Sequence, residues 1–253
     1  MAPTTGCSQH PRERTRGQPA QCADARLPLA RPYASSSVGN LLVQIAGMLL
    51  YPFIENTDGG RIGLGVFGIV VLVITTAMVR RTPGLNWVAG GIALPAVGLL
   101  ALQALFGMPH LLPWSAALEA VFYFYAASSL IAYMMADWHA TTDELFAAGA
   151  TFTLLAWGFA YLFLLMQTLQ PGSFAAAVNP QEQRTWTELM YMSFALLSST
   201  GIGDVIPITT HARMLAAVEM FVGVMYLAGV VSRLIGLTLM SHRGGVQHPR
   251  DRS

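Results

Sequence analysis

The chain contains no lysine; all 14 of its basic residues are arginine. That excludes a phosphate-binding loop of the Walker type, which needs a lysine to reach the phosphates. Charge of either sign is scarce. Only 11% of the 253 residues are Asp, Glu, Lys or Arg, and 54% are hydrophobic, whereas soluble domains carry about 25% charged residues. A chain so poor in charge reads as an integral membrane protein, with the lipid bilayer as its first partner. The formal net charge of +1 leaves no basic face, so nucleic acid is not expected as a partner. Cysteine is almost absent. Cys7 and Cys22, both near the polar N-terminus, make no disulfide framework and are too few for a tetrahedral zinc site. Asp137 and His139 are a weak metal pair at best. No nucleophile, base and acid fall on one face of any apolar stretch, and the carboxylates Glu119 and Glu219 have no neighbouring His or Cys. No enzymatic activity and no cofactor are expected.

What the chain does have is long apolar runs. Residues 1–37 are rich in Pro, Arg, Ser and Gln, show no apolar period, and read as a disordered tail without the basic-then-apolar start of a signal peptide. Apolar stretches follow at 38–54, 62–79, 85–106, 115–136, 145–168 and 212–240, each near the ~20 residues that cross a bilayer as a helix. Pro95 lies inside the third, where a kink is tolerated. Arginines at 12, 14, 16, 26 and 31, at 80 and 81, and at 243, 250 and 252 all fall on one side of a six-span chain. By the positive-inside rule that side is cytoplasmic, with both termini in the cytoplasm. Trp87 and Trp138 then sit at the inner boundary and Trp114 and Trp186 at the outer, with Trp157 packed in mid-span.

Between the last two spans lies a segment of another kind. Thr187 to Leu197 is apolar but too short to span. It is followed by SSTGIGD, Ser198 to Asp204. Gly201 and Gly203 can take φ angles closed to other residues, so successive carbonyl oxygens can turn to one side, as in rings that bind dehydrated cations. Non-helical backbone at membrane depth survives only if buried in protein or lining an aqueous path. The short helix also aims its partly negative C-terminal end at the membrane centre. The segment reads as a re-entrant pore loop.

From Trp186 onward, WTELMYMSFALLSSTGIGDVIPITTHARMLAAVEMFVGVMYLAG resembles the pore module of potassium channels, whose filter reads TVGYGD. Ser199 takes the threonine position, Thr200 the valine, Gly201 and Gly203 the glycines, Ile202 the tyrosine and Asp204 the aspartate. Pro207, Thr209 and Arg213 match residues that follow the family's filter, and Gly223 matches the gating-hinge glycine of its inner helix. The resemblance implies a homotetramer around one pore. K⁺ would be the permeant ion, bound by carbonyls of Ser199, Thr200, Gly201 and Ile202 and by the Ser199 hydroxyl, with Gly203 completing the filter. The departures are informative. Ile202 replaces a tyrosine that braces the filter, and Tyr191 and Met192 stand where the pore helix usually carries tryptophans. Tyr191 and Met192 would then support the filter by apolar packing, with Asp204 as a further support, which makes it softer and passage of Na⁺ a competing outcome.

The expectation is an all-α membrane protein of six transmembrane helices, with a re-entrant pore helix and filter loop between the fifth and sixth. Residues 1–37 form a cytoplasmic tail, 38–144 a four-helix accessory bundle, 145–240 the pore domain and 241–253 a second cytoplasmic tail, all in the plasma membrane. The fourth span carries no arginine, so it is no voltage sensor, and little voltage dependence is expected. Glu219, an ionisable group inside the last span, and His211 at its outer end are candidate modulatory residues. The alternatives are a non-selective monovalent cation channel and, less favoured, a cation transporter subunit; related uptake proteins carry four pore-loop repeats, and this chain has one.

Overall fold

In hydrocarbon a backbone must satisfy its own hydrogen bonds, so long apolar runs become helices. The computed structural model describes residues 34–55, 86–106, 109–136 and 142–245. In order these form α1 (Ala34–Glu55), α2 (Asn86–Phe106), a 3₁₀ turn (Pro109–Leu111), α3 (Leu112–Ala136), α4 (Thr142–Leu169), β1 (Phe174–Ala176), α5 (Trp186–Leu197), β2 (Val205–Pro207) and α6 (Thr210–Gly245). Helix α1 starts inside the stretch read as a tail, and α6 runs into the one read as the second tail. The span expected at 62–79 lies outside the described residues, as do residues 1–33 and 246–253.

Among the described residues, three helices are long and apolar enough to cross a membrane, over Leu112–Ala132, Leu145–Leu169 and Thr210–Arg233. The apolar parts of α1 and α2 are shorter, Leu41–Leu50 and Gly90–Gln103. Pro95 lies within α2, which continues through it.

Helix α4 is the hub. Against α3 it packs rings and small residues together: Ala120, Ala126, Ala156 and Ala160 are fully or almost fully buried, and small residues let helices approach closely without lipid between them. Phe124 meets Phe159 edge to face at 4.9 Å, and Tyr123 stacks on Tyr161 at 5.6 Å. Helix α1 also seats on α4. Leu41 lies against Gly149, and the buried Thr153 hydroxyl donates to the Gln44 side-chain oxygen. Helix α2 reaches the bundle through α3, where Gln103 Nε2 donates to Ser115 Oγ at 2.7 Å. The aromatic residues of the fourth apolar stretch are therefore packing, as Phe122 and Tyr123 are fully buried among other rings.

Candidate functional site

Helix α5 is held at its start by a network centred on Arg184. Thr185 caps the helix: Glu188 N donates to Thr185 Oγ1 at 3.3 Å, and Thr185 N donates to Glu188 Oε2 at 2.8 Å. This reciprocal capping box satisfies two otherwise orphan donors. The other Glu188 oxygen accepts from Arg184 Nη1 at 3.3 Å. The Arg184 guanidinium, buried with its residue, also donates to the carbonyls of Val178, Asn179 and Glu182. The Gln167 side chain brackets the Arg184 backbone, accepting from its N–H at 2.8 Å and donating to its carbonyl at 2.9 Å. So the last turns of α4 are tied to the entry of α5. Trp186, read as an outer-boundary residue, packs on Trp157 at 4.9 Å and on Tyr161 at 6.0 Å.

At its other end α5 stops abruptly. Ser199 takes a left-handed φ of 58°, and Gly201 one of 64°. The left-handed positions are thus 199 and 201, not the 201 and 203 that the glycine spacing suggests; Ser199 serves as the helix-ending residue where glycine is usual. The N–H groups of Thr200 and Gly201 both bond the Ala195 carbonyl at 3.0 Å, and that of Ser199 bonds the Leu196 carbonyl at 3.0 Å. A trans peptide points its C=O opposite to its N–H. The carbonyls of Ser198, Ser199 and Thr200 therefore point away from α5, on a segment whose residues 198–204 are all exposed in the single chain. The hydroxyls of Ser198 and Thr200 hydrogen-bond each other beside them.

The chain returns through β2, which pairs antiparallel with β1 in the register Phe174↔Pro207, Ala175↔Ile206 and Ala176↔Val205. Ile208 N donates to Ser173 O at 2.8 Å and extends the join. Thr209 caps α6, accepting from Ala212 N at its hydroxyl and from Arg213 N at its carbonyl. Arg213 Nε reaches back to the Pro207 carbonyl at 3.2 Å. Asp204 and His211 are exposed.

Helix α6 meets α5 at Glu219 and again at Gly223. The Ser193 hydroxyl hydrogen-bonds the Glu219 carboxyl, both fully buried. Four residues further along each helix, Gly223 faces the Leu197 carbonyl so closely that a Cβ built there would lie 2.1 Å from its oxygen. The contacts advance together along both chains, so α5 and α6 run the same way. On α4 the order is reversed: Ala156 meets Ser193, and Ala148 accepts from the Tyr226 hydroxyl at 2.7 Å. Helix α4 thus runs opposite to α5 and α6. The end of α5 lies beside Gly223, about 20 Å along α6 from its start at the 1.5 Å rise of an α-helix. Residues 198–209 cover that distance back.

Of the residues singled out from the sequence, 199–204 lie together on the exposed loop. Met192 is buried on α5, whereas Tyr191 is 43% exposed and Ile202 54% exposed, so neither is covered within one chain. Gly223 is a close-packing position within an uninterrupted helix. Sequence reasoning missed Arg184, Gln167 and Ser193; the T-x-x-E capping signature at Thr185 marked the place of the first.

Residues 120–239 match a family model described as "Ion channel". No curated protein and no solved structure matches the chain. The matched residues run from α3 through α4, α5 and the exposed loop into α6, and over that stretch the chain is similar to ion channels of the pore-module kind.

Proposed function

We propose that four copies of this chain surround a single pore in the plasma membrane and conduct K⁺ down its gradient, with both termini in the cytoplasm. The observation that carries the reading is the turning of three consecutive N–H groups onto the last turn of α5, which leaves carbonyls of the Ser199 loop directed outward from the chain. Repeated four times, such loops supply rings of carbonyl oxygen from Ser199, Thr200, Gly201 and Ile202, with the Ser199 hydroxyl as the innermost ligand and Gly203 ending the filter. Oxygens replace the hydration shell of a cation that enters them. Helix α5, at 12 residues about 18 Å long, dips into the membrane and the loop returns.

The surface of α6 supports the assembly. Its apolar span is only 17% buried within the chain, against 67% for α4. Val218, Phe221, Val224, Met225, Val231 and Ile235 are all exposed. Three sister copies and the pore they enclose account for the uncovered faces. The exposure of Tyr191 and Ile202 favours a second reading in one respect. Their uncovered faces would meet neighbouring copies, and apolar contact there replaces a hydroxyl brace. A filter held this way discriminates less sharply, which is the non-selective alternative.

The test is the reversal potential of the purified protein in planar bilayers under opposed tenfold K⁺ and Na⁺ gradients. Selective K⁺ passage places it near the K⁺ equilibrium value, about 59 mV from zero for a single charge. A value near zero identifies the non-selective channel, and absence of any current in assembled protein removes the channel reading.

A further inference from the structure

The Ser193 hydroxyl sits between three helices. It lies 2.8 Å from the Ala156 carbonyl of α4 and also touches Glu219 Oε1 of α6. All three residues are fully buried. A serine hydroxyl has one proton, a backbone carbonyl has none, and a carboxyl has one only when neutral. With Ser193 donating to Ala156, the contact with Glu219 is a hydrogen bond only if Glu219 donates its own proton to Ser193 Oγ. An ionised Glu219 would instead take the Ser193 proton, and the tie to α4 would be lost. The second oxygen, Oε2, is buried with no partner among the described residues. A full charge there would have a single hydrogen bond to support it, which is costly in an apolar interior.

We infer that Glu219 acts in its neutral form as a positioning residue. Its proton holds Ser193 on Ala156, fixes α5 to α4, and keeps the Leu197 carbonyl seated on Gly223; losing that proton frees the pore helix and lowers conduction. The inference rests on the channel reading above.

Among the described residues, the titratable groups on the packed elements do not replace it. On α6, Tyr226 two turns away donates to Ala148 O, and His211 and Arg213 are at the exposed start. On α4, Tyr161 is stacked with Tyr123. On α5, Glu188 is engaged by Arg184 and Thr185, and Tyr191 is half-exposed.

The experiment measures cation flux from liposomes containing the full chain across a pH series, for wild type, Glu219→Gln and Ser193→Ala. Glutamine presents an N–H donor to Ser193 and imitates the neutral acid. Wild-type flux should fall roughly fivefold or more from acid to alkaline pH, the lower range for coupling between two sites. Glu219→Gln should hold the acid-side rate throughout, and Ser193→Ala should stay low and flat. In parallel, infrared difference spectra should show a protonated carboxyl band that Glu219→Gln removes. A conducting wild type without pH dependence, or a Glu219→Gln variant that titrates like wild type, overturns the inference and leaves the channel reading intact. If Glu219→Gln does not assemble, a Ser193→Ala variant with wild-type titration overturns it equally. No flux from assembled protein at any pH overturns the channel reading instead, and the infrared band then decides the state of Glu219 separately.

Discussion

Replacing Gly223 by alanine is expected to abolish conduction and to destabilise the folded protomer by about 3 kcal/mol, the upper part of the range for overpacking a filled interior. The added Cβ would lie 2.1 Å from the Leu197 oxygen, 2.8 Å from its carbonyl carbon and 2.9 Å from its Cα. All three atoms are backbone, so no rotamer change can make room. Either α6 moves away or the end of α5 is pushed out, and Ser198 and Ser199 follow directly from that end. The comparison is Gly98→Ala in α2, where nothing lies within 4 Å of the added carbon, and where alanine should be neutral or gain about 1 kcal/mol of helix propensity. Thermal unfolding in detergent and liposome flux, measured on both variants, decide the matter. A glycine that served only as a hinge would accept alanine with little loss of fold stability and altered gating. A Gly223→Ala protein that melts and conducts like wild type would sink the packing account.

Much of the channel-like organisation is legible in the sequence because it rests on local rules. The shortage of charge and the apolar runs foretell the helices, and the shortness of Thr187–Leu197 foretells a segment that cannot cross. The T-x-x-E signature at Thr185 to Glu188 marks where α5 starts. What stays hidden depends on contacts between distant residues. Nothing in the run of Ala156, Ser193 and Glu219 says that they meet, since 37 residues separate the first pair and 26 the second. The left-handed turn at Ser199 is hidden for a different reason. Serine has no intrinsic preference for that conformation, and the convergence of two N–H groups on Ala195 O imposes it. Gly223 is legible as a special position but not in its physical role, because the chain that crowds it belongs to another helix. The seating of α1 on α4 is equally non-local: it depends on Gln44 finding Thr153.

Residues that no filter motif marks also set the position of the exposed loop. Arg184→Ala is expected to lose most conduction and to cost about 3 kcal/mol of stability, the lower end for breaking a buried ion pair, because Glu188 keeps some access to water. The guanidinium donates to the carbonyls of Val178, Asn179 and Glu182 and to Glu188 Oε1. Removing it leaves these acceptors without their donor, and the segment between β1 and α5 loses its anchor. Glu188 then loses the cation that orients it, although its other oxygen still caps Thr185. Lysine should recover only part of the loss. It offers a compact point charge on a flexible stem, whereas the planar fork of arginine meets several acceptors in different directions at once. Helix α5 is short and cannot fix its own depth. Its position is set by Arg184 and Gln167 at the start and by Ser193 and Leu197 further along, so a loose start displaces the exposed loop at the end. Melting in detergent and flux in liposomes should therefore fall together in Arg184→Ala, with Arg184→Lys between it and wild type. If Arg184→Ala melts and conducts as wild type does, the start of α5 is held by its capping box and by the rings of Trp157 and Trp186, and the arginine network is dispensable.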